Sequence, residues 1–239
     1  MIEKHNEYGL DLHMLFIDFK QAFDSINRKR LFEAMDKIGI TQKLIRMMRM
    51  TMCQTKARVK IDNQINAPIK FSKGFKQSDG LSATLFILAL HNAAQEINQR
   101  GTVYTKSSQI CAYAADVVIV TRSEARLRQV YREIEENTQQ MGLLVNEKKA
   151  KYMIVSTTQK GQQTQNWKLG DKVFEKVSSF KYLGNVINKE GRISECVKDR
   201  IQVGNRAYAA DHHMLKSKII KRSFKMKIHK TLIRPDVTY

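Results

Sequence analysis

The sequence is poor in the residues that mark several protein classes. It has 2 prolines and 11 glycines among 239 residues, which excludes a collagen-like chain and argues against a disordered one. Its 3 cysteines (Cys53, Cys111 and Cys196) are odd in number and widely spaced. Neither a zinc motif nor a disulfide framework is therefore predicted, and a reducing compartment is expected.

Long apolar runs are also missing. The longest, Leu81 to Leu90, is too short to cross a bilayer, and the first residues contain no apolar signal core. We therefore expect an intracellular protein of the cytoplasm or nucleus, which is neither secreted nor bound to a membrane.

Acidic side chains are scarce relative to basic ones. The 42 Lys and Arg exceed the 23 Asp and Glu, for a net charge of +19. A compact chain with this excess repels itself, so a polyanionic partner is the simplest explanation. The segment from Val197 to Tyr239 holds eleven basic and three acidic residues. If it is helical, apolar residues such as Ile219, Met226 and Ile228 are expected to pack inward while lysines track phosphates; a solvated helix is the alternative.

Hydrophobic spacing predicts an α+β chain. The expected elements are a strand at 10–17, a helix capped by Asp24 and Ser25 and stopped at Gly39, a helix capped by Thr41, a hairpin at 55–71, a helix at 81–99, a hairpin pairing 102–106 with 109–121, a helix at 123–141, a strand pair around 143–145 and 151–156, a hairpin that includes 180–184, and helices from about 193. This order is typical of an antiparallel sheet covered by helices on one face, the split β-α-β pattern.

Two aspartates lie at the ends of apolar segments. Asp18 follows the first strand, and Asp116 lies in the bend of an apolar hairpin. A carboxylate among apolar neighbours is costly unless a cation neutralises it. Paired carboxylates in a basic protein suit Mg²⁺, which prefers oxygen ligands and leaves positions open for phosphates. The alternative is an ordinary turn Asp that bonds to its own backbone.

Five segments together resemble a known family. Phe16–Ile26 (FIDFKQAFDSI) resembles the first catalytic motif of reverse transcriptases from non-LTR (LINE-type) retrotransposons. Gly74–Ser82 (GFKQSDGLS) resembles the second motif, Ala112–Asp116 (AYAAD) the third, Gly142–Lys149 (GLLVNEKK) the fourth and Phe180–Gly184 (FKYLG) the fifth. The motifs follow the family's order over most of the chain, which is identified as a truncated and degenerate member of this family.

The resemblance implies a polymerase palm of α+β class, with partial fingers and the helical start of a thumb. It places the palm and residual fingers in residues 1–190 and a basic helical region, the start of the thumb or connection, in 191–239. The implied activity is RNA-directed DNA polymerase, a two-metal nucleotidyl transfer. The implied partners are an RNA or DNA template-primer and, if the chain is active, deoxynucleoside triphosphates; no protein partner is implied.

The resemblance also implies roles for individual residues. Asp18 and Asp116 would be catalytic and hold Mg²⁺; Phe19, Phe23, Lys76, Gln77 and Lys148 would bind the nucleotide; and Tyr182, Leu183 and Gly184 would grip the primer. Phe23 would block a ribose 2′-hydroxyl, and Lys148 or Lys149 would face the departing pyrophosphate. Plainer interpretations are core packing for Phe23, solvated charges for the lysines and an ordinary hairpin at 182–184.

The sequence departs from the family at the third and second motifs. Ala115 stands where the family has the first of two adjacent aspartates, and a methyl group cannot coordinate Mg²⁺. Ser78 replaces a glycine and Gly80 a proline, which changes the backbone freedom of the second motif. We therefore predict a weakened or lost Mg²⁺ site and little or no polymerase activity. Three functions stay open: an active polymerase, a catalytically silent palm that binds nucleic acid, and a translated remnant of a mobile element with no selected role.

Overall fold

The computed structural model describes residues 2–53, 55–62, 64–75, 80–95, 97, 108–156 and 165–238. They pack as two compact units. The first unit holds the described residues of 12–152 and 163–176, and the second holds those of 1–11, 153–162 and 177–239. This division follows packing alone and does not test the expected functional boundary between residues 190 and 191, which stays a prediction.

The helices and strands alternate along the chain in blocks. The helices are α1 (Ile2–Glu7), α2 (Ala22–Ser25), α3 (Arg28–Lys37), α4 (Gln42–Met52), α5 (Gly80–Gln95), α6 (Glu124–Gln140), α7 (Ser194–Ala210), α8 (His212–Lys216), α9 (Arg222–Ile228) and α10 (Arg234–Thr238), with a π-helical turn at His229–Ile233. The strands are β1 (Leu12–Ile17), β2 (Phe19–Lys20), β3 (Lys56–Ala57), β4 (Lys60–Ile61), β5 (Gln64–Ile65), β6 (Ile69–Lys70), β7 (Ser108–Tyr113), β8 (Asp116–Thr121), β9 (Leu144–Val145), β10 (Lys151–Val155), β11 (Trp167–Leu169), β12 (Lys172–Lys176), β13 (Ser179–Tyr182) and β14 (Asn185–Asn188).

A six-stranded sheet carries the core, in the order β11-β12-β10-β1-β8-β7. Strand β1 lies inside the sheet, and all but one of its residues are buried, which explains its nearly continuous apolar sequence. The pairs β1–β8, β7–β8 and β11–β12 are antiparallel, whereas β10 and β12 run parallel. The predicted α+β class with a mainly antiparallel sheet is confirmed, and the parallel pair is the part that hydrophobic spacing did not predict.

Helix α6 covers this sheet. Its buried residues Leu127, Val130, Tyr131, Ile134 and Thr138 recur at helical spacing and form one face, which packs against β1, β8 and α5. The Ser123 hydroxyl caps the helix by accepting from the Arg126 amide at 3.3 Å. The predicted helix at 123–141 is therefore present, as Glu124–Gln140.

Several predicted boundaries were wrong. Asn27, and not Asp24 or Ser25, caps α3, because a separate short helix α2 occupies 22–25; the Asn27 side chain accepts from the amides of Lys29 and Arg30. Strand β9 pairs with β2 and not with β10, since the chain leaves the central sheet at residue 18.

The third-motif hairpin pairs 108–113 with 116–121. Residues 102–106, expected as its first strand, lie outside the described residues. Asp116 is the first residue of strand β8 and does not lie in the bend. The two residues before it, Ala114 and Ala115, form the bend.

The second unit contains the β13–β14 hairpin and helices α7 to α10. Helix α7 approaches α10 closely at Gly204, where an added Cβ would lie 2.3 Å from a Val237 methyl carbon. Ile228 is buried as expected, but Ile219 is 94% exposed and Met226 is 45% exposed. The predicted inward packing was therefore wrong for two of these three residues. Ile219 lies between α8 and α9, where the chain is not helical, whereas Met226 lies within α9 and is exposed there.

Candidate functional site

Asp18 lies where the chain leaves the central sheet. Strand β1 ends at Ile17 and β2 begins at Phe19, so Asp18 is the residue at which the chain changes its pairing partner. Its backbone oxygen accepts from the Asn146 amide at 2.8 Å, and its carboxylate accepts from the Asn146 side chain at 3.3 Å. The Lys149 ammonium lies 3.7 Å from the same carboxylate oxygen, and the Asp18 side chain is 34% exposed. Residues of the fourth motif therefore hold a solvent-accessible carboxylate at the sheet edge.

Asp116 lies at the same end of the adjacent strand. Ile17 of β1 and Val117 of β8 are the last residues paired at this end of the two strands. Asp18 directly follows Ile17, and Asp116 directly precedes Val117. The structure thus brings these two predicted carboxylates to one edge of the sheet; their role as metal ligands stays a prediction.

The turn that precedes Asp116 contains the main departure from the family pattern. Ala114 and Ala115 form the two-residue connection between β7 and β8, and both are half-buried. Ala114 has a φ of 51°, in the left-handed region that a two-residue hairpin turn commonly requires. The methyl group of Ala115 therefore stands at the tip of the hairpin, beside the strand end that carries Asp116.

Two phenylalanines of the first motif pack on the same ring of α5. The Phe23 ring lies 5.0 Å from the Phe86 ring, and the Phe19 ring lies 6.5 Å from it in an edge-on arrangement. Phe86 and Phe19 are buried, whereas Phe23 is half-buried. Any nucleotide contact of Phe19 would therefore run through its backbone, while part of the Phe23 ring remains accessible for the predicted gate role.

Two glycines lie against the last residues of the first motif. An added Cβ at Gly74 would lie 2.5 Å from the Asp24 carbonyl oxygen, and one at Gly142 would lie 2.5 Å from the Ser25 carbonyl oxygen. The Gly74 amide also donates to the Ile26 oxygen at 2.9 Å. These glycines begin the second and fourth motifs, so the contact joins three motifs at one place. Lys76 and Gln77, the predicted nucleotide contacts that follow Gly74, lie outside the described residues.

Arg28 is a buried cation that the sequence analysis missed. Its guanidinium donates to the Gly74 oxygen at 2.8 Å, to the Phe71 oxygen at 3.0 Å and to the Thr55 hydroxyl at 2.9 Å. A further bond goes to the Met52 oxygen. Burial lowers the pKa of Arg28 from its usual range. Arg28 therefore connects α3 to the end of α4 and to the segment that leads into the second motif. In the sequence, only its position at the start of a predicted helix could have indicated this role.

The remaining predicted residues divide between the two units. Lys148 is exposed next to Lys149, and it is Lys149 whose ammonium approaches Asp18. Leu183 and Gly184 form the turn of the β13–β14 hairpin with φ angles of 48° and 79°. This hairpin belongs to the second unit, where Arg200 of α7 donates to Asn185. The primer-grip assignment of Tyr182, Leu183 and Gly184 stays a prediction.

A comparison with known protein families identifies the family of this chain. The sequence profile of the family described as reverse transcriptase (RNA-dependent DNA polymerase) matches residues 2–187. The chain belongs to the reverse transcriptase family. The resemblance predicted from the five motifs is therefore confirmed, and the matched range contains all of them.

Other relatives of this reverse transcriptase chain are distant. The "Transposon TX1 uncharacterized 149 kDa protein" of Xenopus laevis is 26% identical in an alignment of 119 positions that covers 48% of this chain and 9% of that protein. A telomerase structure from Candida tropicalis in complex with a telomeric RNA fragment superposes with a TM-score of 0.59 at 15% identity, over 96% of this chain and 39% of that one. A telomerase from Candida albicans gives a TM-score of 0.54 at 13% identity, over 95% of this chain and 40% of that one.

These comparisons confirm the predicted palm-type polymerase fold. The chain spans less than half the length of each of these three relatives, so the activity of a whole relative does not transfer to it directly. Within the part of the chain that the structure describes, no helix is long and apolar enough to span a bilayer.

Asp18 and Asp116 are the two carboxylates at this edge of the reverse transcriptase chain that could bind a divalent ion. Across the described ranges, no group of three or more His, Cys, Asp or Glu residues is placed to hold a metal ion. The Lys149 ammonium already lies 3.7 Å from the Asp18 carboxylate. Mg²⁺ commonly binds one or two carboxylates together with substrate phosphates, so the edge offers fewer protein oxygens than it would with a carboxylate at position 115.

Proposed function

We propose that this chain is the palm of an RNA-directed DNA polymerase from a non-LTR retrotransposon, that it binds an RNA or DNA template-primer, and that its nucleotidyl transfer is lost or severely impaired. The family match, the RNA-bound telomerase relative and the transposon relative support the first two parts. Ala115 at the hairpin tip supports the third. Deoxynucleoside triphosphates are substrates only if activity remains, and an intracellular location, in the cytoplasm or nucleus, is part of the proposal.

Asp18 and Asp116 are the proposed remnant of the catalytic site, with a weakened or lost Mg²⁺ affinity. Phe23 is the proposed sugar gate, and Lys76, Gln77 and Lys148 are proposed to contact the nucleotide. Removing an oxygen that binds the metal directly should cost more than the ~10–100-fold typical of changes behind the first ligands. We therefore expect the Ala115 chain to fall below detection in primer extension.

Primer extension with Mg²⁺ or Mn²⁺ tests this proposal. We expect no product from the unmodified chain and restored synthesis from Ala115→Asp. The double variant Ala115→Asp/Asp18→Ala should again be inactive, because both carboxylates are needed. Ala114→Asp is the matched control: it adds the same charge one residue earlier, at a φ that Asp tolerates, and should restore nothing.

Extension by the unmodified chain that Asp18→Ala abolishes would refute the proposed loss of activity. Failure of Ala115→Asp to restore synthesis would show that the site is damaged beyond one ligand, for example at Ser78 or Gly80.

The binding part of the proposal has a test of its own, and the net charge of +19 favours it over the alternative of a remnant with no selected role. Binding through phosphates weakens linearly on a logarithmic scale as salt rises. A steep salt dependence for a primer-template duplex is expected for a binding palm. Absent or salt-independent binding would instead identify a remnant with no selected role.

A further inference from the structure

A basic groove lies on the first unit, and the residues of the Asp18 edge do not line it. It has a volume of about 830 Å³ and is open to solvent between α3, the end of α4 and the β3–β6 strand pair. Five basic side chains and one acidic side chain line it: Arg28, Lys29, Arg49, Lys56, Lys70 and Glu33. Among the described residues, none of those that hold the Asp18 carboxylate lines this groove. The groove is therefore a separate positively charged surface.

Two of its lysines are placed where they repel each other. Lys56 of β3 and Lys70 of β6 are direct partners in the antiparallel register, and both are exposed. Like charges directly opposite each other destabilise a strand pair. Within the described ranges neither lysine forms an ion pair with an acidic side chain. A phosphate bound between the two ammonium groups would remove this repulsion.

An exposed aromatic ring stands beside the lysines. Phe71 follows Lys70, lines the groove and is 47% exposed. Its backbone is held at both ends, because its amide donates to the Thr55 oxygen at 3.0 Å and its own oxygen accepts from Arg28 at 3.0 Å. A ring on a fixed backbone loses little conformational freedom when a flat ligand stacks on it.

Cationic side chains beside an exposed aromatic ring are the combination that binds single nucleic-acid strands. The cations contact phosphates, and the ring stacks on a base. A duplex cannot use the ring, since its base faces are already stacked. The groove thus favours an unpaired strand over a duplex and over an acidic peptide, which has no bases to stack.

We infer that this groove binds a segment of unpaired RNA, with phosphates at Lys56 and Lys70 and a base on Phe71. The choice of RNA over DNA rests on the proposed function, which supplies an RNA template. The groove itself lies outside the residues assigned to that function and constitutes a second nucleic-acid site on the chain.

Charge reversal in the full chain tests the phosphate contacts. The probe is a 12-nucleotide oligouridylate, and the groove variant is Lys56→Glu/Lys70→Glu. The control, Lys43→Glu/Lys168→Glu, changes net charge equally at two exposed lysines that are not among the described groove residues. We expect the groove variant to weaken binding at least about tenfold and to reduce the slope of log affinity against log salt by about 1.4, since each phosphate contact of a single strand contributes about 0.7. The control should leave the slope unchanged.

Equal losses in the two double variants, or no loss in either, would overturn the inference. Misfolding does not obscure the result, because the single variant Lys70→Glu places opposite charges across the strand pair and should leave the fold intact while still weakening RNA binding.

Phe71→Ala tests the stacking contact. It should weaken oligouridylate binding about tenfold and leave binding of a blunt RNA duplex unchanged, whereas Phe71→Tyr should bind like the unmodified chain. An equal effect of Phe71→Ala on strand and duplex would overturn the stacking role.

Cys53 provides a direct footprint. It is exposed and lines the groove. In a Cys111→Ser/Cys196→Ser chain, oligouridylate should slow alkylation of Cys53 several-fold, and Lys56→Glu/Lys70→Glu should abolish the protection. Unchanged alkylation would contradict occupancy of the groove. Asp18→Ala should leave this protection intact while it abolishes any restored primer extension, so failure of the groove and failure of the proposed function are distinguishable.

Discussion

Gly142 offers the sharpest test of how the motifs are held together. Its φ is 86°, and an added Cβ would lie 2.5 Å from the Ser25 oxygen and 3.2 Å from the Asn27 nitrogen. Gly39 has a φ of 87° with nothing within 4 Å of its added Cβ. Gly142 directly follows the C-terminal cap residue of α6, and Gly39 directly follows that of α3. In both cases the amide of the next residue donates to the backbone oxygen five residues earlier in the helix. Gly142→Ala and Gly39→Ala therefore differ mainly in whether another segment lies against the new methyl group.

The expected losses of unfolding free energy follow from these geometries. A left-handed alanine costs about 1–2 kcal/mol, and the less flexible unfolded chain returns about 0.4–1 kcal/mol of this. Gly39→Ala should thus lose about 1 kcal/mol. Gly142→Ala adds an overpacking cost of about 1–3 kcal/mol. The substitution would also break the 2.8 Å hydrogen bond from the Asn27 amide to the Met141 oxygen, which contributes about 1 kcal/mol. We expect Gly142→Ala to lose about 3–5 kcal/mol.

Urea unfolding followed by circular dichroism measures the difference. With a slope of about 2 kcal/mol per molar urea, the two unfolding midpoints should differ by about 1 M or more. Equal midpoint shifts would mean that the backbone of residues 25–27 does not lie against Gly142, and the contact that joins the first and fourth motifs would have to be abandoned.

Two further predictions concern helix ends. Asn27→Ala should lower the unfolding free energy by about 1 kcal/mol, because the Asn27 side chain accepts from two amides at the start of α3. Thr41→Ala is the control and should change the unfolding free energy little, since the Thr41 side chain forms no cap bond to α4. Similar losses in the two variants would contradict the assignment of Asn27 as a cap. The hydrogen bond from Arg128 lowers the pKa of Glu124 from its usual range, with a further contribution from the Trp167 hydrogen bond. The stabilisation from this carboxylate is therefore present above its unfolded pKa and is lost as pH falls through the lowered folded value. Glu124→Gln should reduce the acid dependence of stability by less than about 1 kcal/mol, because the side chain is 45% exposed; an unchanged dependence in thermal unfolding between pH 3 and pH 6 would contradict this.

Hydrophobic spacing predicted the elements of the site better than their partners. The apolar run before Asp18 is a buried strand, and the apolar run after Asp116 is a hairpin strand, as expected. The pairing of β9 with β2 was missed because a two-residue strand has no periodicity of its own. Asn27 was missed as a cap because Asp24 and Ser25 offer the same side-chain chemistry three and two residues earlier.

The contacts of the candidate site depend on chain segments that are far apart in sequence. Asn146 and Lys149 reach the Asp18 carboxylate, and the first of these bonds spans 128 residues. Arg28 reaches Gly74 over 46 residues. Spacing along one element carries no information about such distances, so the approach of the Lys149 ammonium to Asp18 was not predicted.

By itself, the amino-acid sequence determined the family, the class of fold, the excess of positive charge and the absence of a carboxylate at position 115, because each is a property of residue types and their local order. Only the tertiary structure decided which backbone lies against Gly74 and Gly142, which ammonium approaches Asp18, that Arg28 is buried and that Lys56 opposes Lys70. These depend on how separate segments pack, and close packing selects one partner for each segment through shape and hydrogen bonding that no single segment contains.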